Sequence, residues 1–410
     1  MAAKQPKNTT VCRVETHLDA FRVYTKSPRL VRVTCGKWTI GIALLAAGAF
    51  AQQYADNLPI AHPAIRYFES DLTDPASSLA KRLESGAAQL DFESGPFGYL
   101  PSLLQHLDLT IDSQTLVFSK TSFQSSKISP RNPRAIYFND SVAIGYVPGG
   151  EVLEVASLDP RQGVVFYTLD AQKSDRPLLH RRDVCLKCHQ GPATQGVPGI
   201  FVGSVFPNPM GSPSPAGAII TDHRTAFADR WGGWLLSSLG QGSRADSVAI
   251  DPAEPETLSR VRPVFDASRY LSPTSDPVAL MTLEHQTQMT NLLTRLGWEA
   301  RMGAGPSDKE IAAVVRYMTF ADEAPLRHPL AASAFSKAFA RRGPCDRQGR
   351  SLRDFDLQTR LFRYPLSFMV YSPQFEALPA AIKARIGRAL DAALAGTAAL
   401  DVWHGPRAGG

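Results

Sequence analysis

The chain has 410 residues, 44% of them hydrophobic and 20% charged, which excludes a wholly disordered chain and allows two or more domains, or one large domain with insertions. Gly (30) and Pro (31) point to a loop-rich globular fold and away from a helical bundle. The formal charge of +6 belongs to the N-terminus: of 44 basic and 38 acidic side chains, residues 1–51 hold eight and two, which leaves 36 of each in the remainder and no indication of a nucleic-acid partner.

Residues 38–51 form an uncharged apolar run that follows Arg29, Arg32 and Lys37 and ends in Ala49-Phe50-Ala51. A basic stretch, a short apolar core and small residues at −3 and −1 predict a secretory signal over 1–51 and a periplasmic location. The run is shorter than the roughly 20 apolar residues that span a bilayer, and an uncleaved membrane anchor is the alternative. No later stretch is long and apolar enough to span, so the mature chain is expected to have no membrane span.

An N-terminal helical region is expected over 52–112, with one helix opening at Asp74-Pro75 and running through Leu79, Leu83 and Leu90, and a second over Gly98–Leu107. A β-rich section follows over 113–175. Period-two stretches at Thr115–Phe118, Ala135–Phe138, Val142–Val147, Val152–Ser157 and Val164–Leu169, separated by turn-formers, predict an antiparallel meander. The segment 176–250 holds the principal motif, a Pro/Gly-rich loop and apolar runs at Ile200–Phe206 and Ala218–Ile220. A C-terminal helical region fills 251–410, with helices over Asp276–Arg301, Ser307–Phe320 (Glu310 completing a capping box) and Pro379–Leu394. The expected fold class is α+β: mainly helical, with an antiparallel β-rich section preceding a cytochrome c-like haem-binding segment.

Five cysteines are present. Cys12 and Cys35 fall in the signal, and three is a poor count for a disulfide framework. Cys185 and Cys188 stand in Val184-Cys185-Leu186-Lys187-Cys188-His189, a C-x-x-C-H sequence. Two thiols on one turn can form thioethers to the two vinyl groups of one haem, and the next residue, His189, then lies where its imidazole can bind the iron. The expected cofactor is therefore one covalently attached haem c. A thioredoxin-like pair should open a helix in a βαβ unit, which Arg181-Arg182-Asp183 and Gly191-Pro192 do not suggest. A zinc site needs four ligands, with only Cys345 and scattered histidines to complete it. An incidental pair is the remaining alternative. Cys345 has no assigned role.

A second axial ligand would close the iron for electron transfer. His223, after the apolar run Ala218-Ile219-Ile220, is the chosen candidate, against a surface histidine. Met210 in a proline-flanked loop, and His285 with Met289 at i and i+4 on the long helix, compete with it, each against an ordinary packing role. Trp231 and Trp234 could wall a haem pocket or form a core corner. Arg131, Arg134 and Arg230 are candidates for the haem propionates, and nothing in the sequence selects among them.

On Val117-Phe118-Ser119-Lys120-Thr121-Ser122, Ile128-Ser-Pro-Arg131-Asn-Pro-Arg134-Ala-Ile-Tyr137-Phe138, Cys185-x-x-Cys188-His189, Arg230-Trp231-Gly-Gly-Trp234, His285-Gln-Thr-Gln-Met289 and Leu361-Phe-Arg-Tyr-Pro365, the chain resembles a family of exported cytochrome c domain-containing proteins. The resemblance runs from about Gly95 to Leu394. It implies haem binding through Cys185, Cys188 and His189 and electron transfer, and supplies no substrate. The expected function is a periplasmic mono-haem c-type cytochrome that passes single electrons to or from a redox protein partner. The alternatives are a haem-dependent oxidative enzyme, peroxidase- or oxygenase-like, with an open distal site, and a haem-based sensor.

Overall fold

Alternating apolar residues between 115 and 170 build a sheet whose two faces meet different neighbours. The computed structural model describes residues 56–207, 211–237, 245–250, 258–261 and 265–405, so the expected signal over 1–51 and Met210 lie outside the described residues. In chain order the elements are α1 (Pro75–Glu84), α2 (Leu100–His106), β1 (Thr115–Val117), β2 (Arg134–Phe138), β3 (Val142–Tyr146), β4 (Val152–Asp159), β5 (Gly163–Asp170) and β6 (Leu179–Arg181). There follow α3 (Leu186–His189), β7 (Val202–Pro207), β8 (Pro213–Thr221), β9 (Trp234–Ser237), β10 (Ala245–Ile250) and β11 (Leu258–Val261). The helices α4 (Pro277–Met302), α5 (Asp308–Met318), α6 (Ala334–Ala340), α7 (Pro373–Glu376), α8 (Ala380–Ala393) and α9 (Ala398–His404) complete the chain.

Among the described residues the main sheet runs β11-β10-β9-β1-β2-β3-β4-β5-β6, antiparallel throughout, and β7 and β8 form a separate hairpin. One face carries Leu116, Ala135, Tyr137, Ile144, Val155 and Tyr167, buried against Ile65, Leu79, Leu100 and Leu103 from the N-terminal segment, α1 and α2. Side chains of this size contribute roughly 1.5–3 kcal/mol each when fully buried. Asp74 fixes α1 to the sheet. Its carboxylate caps the helix by accepting from the Ser77 N–H at 3.0 Å, and it accepts the Tyr167 hydroxyl of β5 at 2.9 Å.

The opposite face is divided. Val117, Phe138, Trp234 and Leu236 join the C-terminal core with Leu283, Met289, Phe362 and Phe368, whereas Arg134, Ile136, Ala143, Glu154 and Ala156 stay half-buried. The central strut of that core is α4. Asp276 caps it through the N–H groups of Val278 and Ala279 at 2.7 and 3.0 Å, Pro277 occupies its first turn, and Gly303, at φ +94°, ends it in a left-handed turn open only to residues that tolerate positive φ.

The α+β architecture is present, and two features depart from the reading of the sequence. Among the described residues of 52–112 the α-helices are α1 and α2, with a single 3-10 turn starting at Ile111. The first of these stops at Glu84, because Gly86 at φ +75° turns the chain before Leu90. The sheet is not confined to 113–175: β1 sits in its interior, and β9 to β11 extend it on the far side from β2. Trp234-Leu-Leu-Ser237 alternates between the two cores as a strand does, a pattern hidden in the sequence by reading its tryptophans as a pocket wall.

Candidate functional site

The edge strand β6 delivers the chain to a tight turn over Asp183–Cys185 that continues as α3. Antiparallel pairing of β6 with β5 places the motif outside any βαβ unit, which removes the setting a thioredoxin-like pair requires. Cys185 is a half-buried free thiol and Cys188 an exposed one. Burial, and after it the Glu154 carboxylate, pushes the Cys185 thiol up. Beneath the turn, Cys185 and Leu186 pack on Leu158, Val164 and Phe166 with Ala156 and Ile200.

Gly191-Pro192 ends α3, and the chain returns through a short loop that pairs with its own start. The Gly199 N–H donates to the His189 carbonyl at 2.9 Å, and His189 Nδ1 lies 3.0 Å from the Gly199 carbonyl oxygen. A carbonyl only accepts, so Nδ1 carries the proton and Nε2 the lone pair. Nε2 has no hydrogen-bond partner among the described residues. The ring sits between Phe166, at 4.8 Å centroid to centroid, and Phe201, at 5.8 Å. Burial lowers the His189 pKa, so the imidazole stays neutral, the form in which it binds metals. Long-range contacts hold the loop. Asn291 of α4 donates to the Ile200 carbonyl at 2.9 Å, Arg295 to the Gln195 carbonyl at 2.8 Å, and Gln190 to the Leu58 carbonyl at 2.9 Å. A side chain at Gly199 would collide with Asn291 Oδ1.

The donor set fits a haem c. Cys185 and Cys188 would carry the thioethers, and His189 Nε2, its ring oriented by the Gly199 carbonyl, would bind the iron. Adjoining this turn, the strand rows Phe166–Ala156–Ala143 and Glu154–Gly145–Ile136 lie on one face of the sheet, Phe166 and Gly145 buried and the other four half-buried. A tetrahedral zinc site is not supported: among the described residues no group of three or more His, Cys, Asp or Glu side chains is placed to hold a metal ion.

His223 is not brought beside His189. It follows β8, is 1% exposed, and its Nδ1 lies 2.9 Å from Nδ1 of His285 on α4. Its ring contacts are His285, Tyr317 (4.2 Å) and Phe320 (4.9 Å), none of them shared with His189. His285 Nε2 in turn lies 2.7 Å from the Ser367 hydroxyl, which engages both of its nitrogens. Burial holds both histidines well below their ordinary pKa, with the Arg224 guanidinium acting against protonation of each. Among the described residues, His223 Nε2 is buried without a partner. Next to the pair, Arg230 (1% exposed) donates to the His223 carbonyl at 2.7 Å and to Glu284 (0% exposed) at 3.3 Å, and burial pushes the Glu284 carboxyl up to about 7. The candidate second ligand is therefore a core residue, and the surface histidine weighed against it is not what the structure shows. Met289 is fully buried in the same core, and Met210 lies outside the described residues.

Trp231 and Trp234 belong to that core as well. The propionate candidates separate cleanly: Arg230 is locked to Glu284, Arg131 is exposed, and Arg134 lies on the sheet face that also carries Phe166. Sequence reasoning missed Gly199, Glu154 and Gly145. A glycine ten residues after the motif histidine, and a carboxylate between Leu153 and Val155, were the available signals.

No known protein family, curated protein or solved structure matches this chain. The resemblance to exported cytochrome c domain-containing proteins thus rests on the motifs alone. Among the described residues, no helix is long and apolar enough to cross a membrane.

Proposed function

We propose that this chain is an exported, periplasmic c-type cytochrome that carries one haem on Cys185 and Cys188, uses His189 as axial ligand and passes single electrons to or from a redox protein partner. The observation that carries this reading is the His189–Gly199 bond, which fixes the tautomer and orientation of an imidazole one residue beyond an accessible thiol pair. A bound haem supplies a one-electron couple at its iron. The chain's own residues anchor the group, hold the imidazole neutral and leave the exposed Val184 and Cys188 side of the turn open to a partner.

Expression with an export signal in a host that attaches haem c tests the reading. The expected product is red, heavier by one haem, and keeps its colour after denaturation in acid. Colourless protein of unmodified mass overturns it. The alternative, a haem-dependent oxidative enzyme with an open distal position, draws on one observation: His223 and His285 are bonded to each other. Carbon monoxide separates the two. An inert low-spin ferrous spectrum favours electron transfer, and rapid adduct formation favours the enzyme.

A further inference from the structure

We infer that Arg134 is the cation that receives the carboxylates of a haem held by the Cys185–His189 turn, and that Glu154 and Gly145 are its positioning residues. The inference rests on the haem reading above and adds a residue that the C-x-x-C-H motif does not specify.

Sheet register places Arg134 on the candidate haem face. Phe166 of β5, which carries the His189 ring, pairs with Ala156 of β4, and Glu154 lies two residues along β4 on the same face. Glu154 pairs with Gly145 of β3, which pairs with Ile136 of β2, and Arg134 is the next residue on that face of β2. Arg134 Nη1 donates to Glu154 Oε2 at 2.9 Å, with both side chains 18% exposed.

The guanidinium reaches this position by lying across Gly145. A Cβ there would stand 3.1 Å from Glu154 Oε2, tighter than usual, and 3.6 Å from Arg134 Cδ, in ordinary contact, so a methyl pushes the Glu154 carboxylate aside by a few tenths of an ångström. Glu154 is itself held from the other side, its Oε1 accepting from the Ser122 hydroxyl at 2.6 Å and from Gln124 Nε2 at 3.0 Å. Two of the stretches on which the resemblance rests, the one ending at Ser122 and the one ending beyond Arg134, therefore converge on one carboxylate.

The pair is unequally satisfied. Between them the two Glu154 oxygens take three donors, whereas Arg134 Nε is buried without an acceptor among the described residues. An unmatched guanidinium N–H is costly, and a carboxylate is the group that matches its geometry. Haem carries two carboxylates.

Potentiometric titration of haem-loaded protein tests the inference. A cation near the iron favours the ferrous state, so Arg134→Gln is expected to lower the midpoint by about a tenfold change in the ferrous-to-ferric ratio, equivalent to about 59 mV for one electron. Glu154→Gln shifts it the opposite way, Arg134→Lys retains most of the wild-type value, and Gly145→Ala moves it in the direction of Arg134→Gln. Opposite signs from the two halves of one ion pair are not expected of a purely structural role. Unchanged midpoints in Arg134→Gln and Glu154→Gln, or shifts of the same sign, overturn the inference. Should Arg134→Gln fail to fold, the sign of the Glu154→Gln shift decides. Absence of haem from the wild-type protein is the separate failure of the haem reading.

Discussion

His189 and the His223–His285 pair are built on opposite plans. His189 spends one nitrogen on a backbone carbonyl, keeps the other free of described partners, and stands on a half-buried turn with two thiols. The paired histidines are 1% and 0% exposed, point Nδ1 at Nδ1, and are walled by Tyr317 and Phe320. A ligand needs an oriented ring and an approachable lone pair, and His189 has both. The buried pair has orientation without access, which suits a polar knot that fixes how α4 packs on α5 and the 367–371 turn.

The sharpest break between the two regions is by substitution of the thiols. Cys185→Ala with Cys188→Ala should abolish covalent haem, read by mass after denaturation, whereas His223→Leu with His285→Leu should leave attachment intact. Loss of haem in the second variant would erase the distinction. Next in size is the ion pair beside the histidines. Arg230→Met strands the Glu284 carboxylate in the core and should cost about 3–5 kcal/mol by urea unfolding, and adding Glu284→Leu should recover most of it.

Gly199→Ala sharpens the comparison from the His189 side. The new methyl meets Asn291, and overpacking of this kind costs roughly 1–3 kcal/mol. Asn291→Ala in the same chain should restore stability, measured by thermal unfolding. The buried pair also carries a pH dependence. The folded pKa values of His223 and His285 are depressed, so their stabilising effect is present above the unfolded value near 6.5 and is lost as pH falls below it. The limiting slope is about 1.4 kcal/mol per pH unit for each histidine. The His223→Leu, His285→Leu variant should have a flatter Tm between pH 6.5 and 5 than the parent.

What could be read from the sequence follows from the range of the interactions involved. β1 to β5, α4 and α5 were legible because alternation, Asp276-Pro277 and the Ser307/Glu310 box act within a few residues. The C-x-x-C-H turn stands out for the same reason, since the whole motif is contained in Cys185–His189. The Gly199 carbonyl, the reach of Arg134 across Gly145 to Glu154, and the placement of β9 beside β1 depend on register and return paths that no local pattern encodes. The burial of His223, read as a second ligand against a surface histidine, was not legible because it stands in a polar sequence, Thr221-Asp222-His223-Arg224. Arg224 pairs with Asp222 at 2.6 Å and Arg230 takes the His223 carbonyl, so the polarity is consumed internally.

The loop from His189 to Phe201 owes its order to residues far away in the chain: Asn57 and Leu58 from one direction, Asn291 and Arg295 from the other. During N-to-C synthesis the two thiols emerge about a hundred residues ahead of the α4 groups that later clamp this loop. The imidazole is thus locked into its final pose only once the second half of the chain has been made, which separates in time the accessibility of the thiols from the rigidity of the finished site.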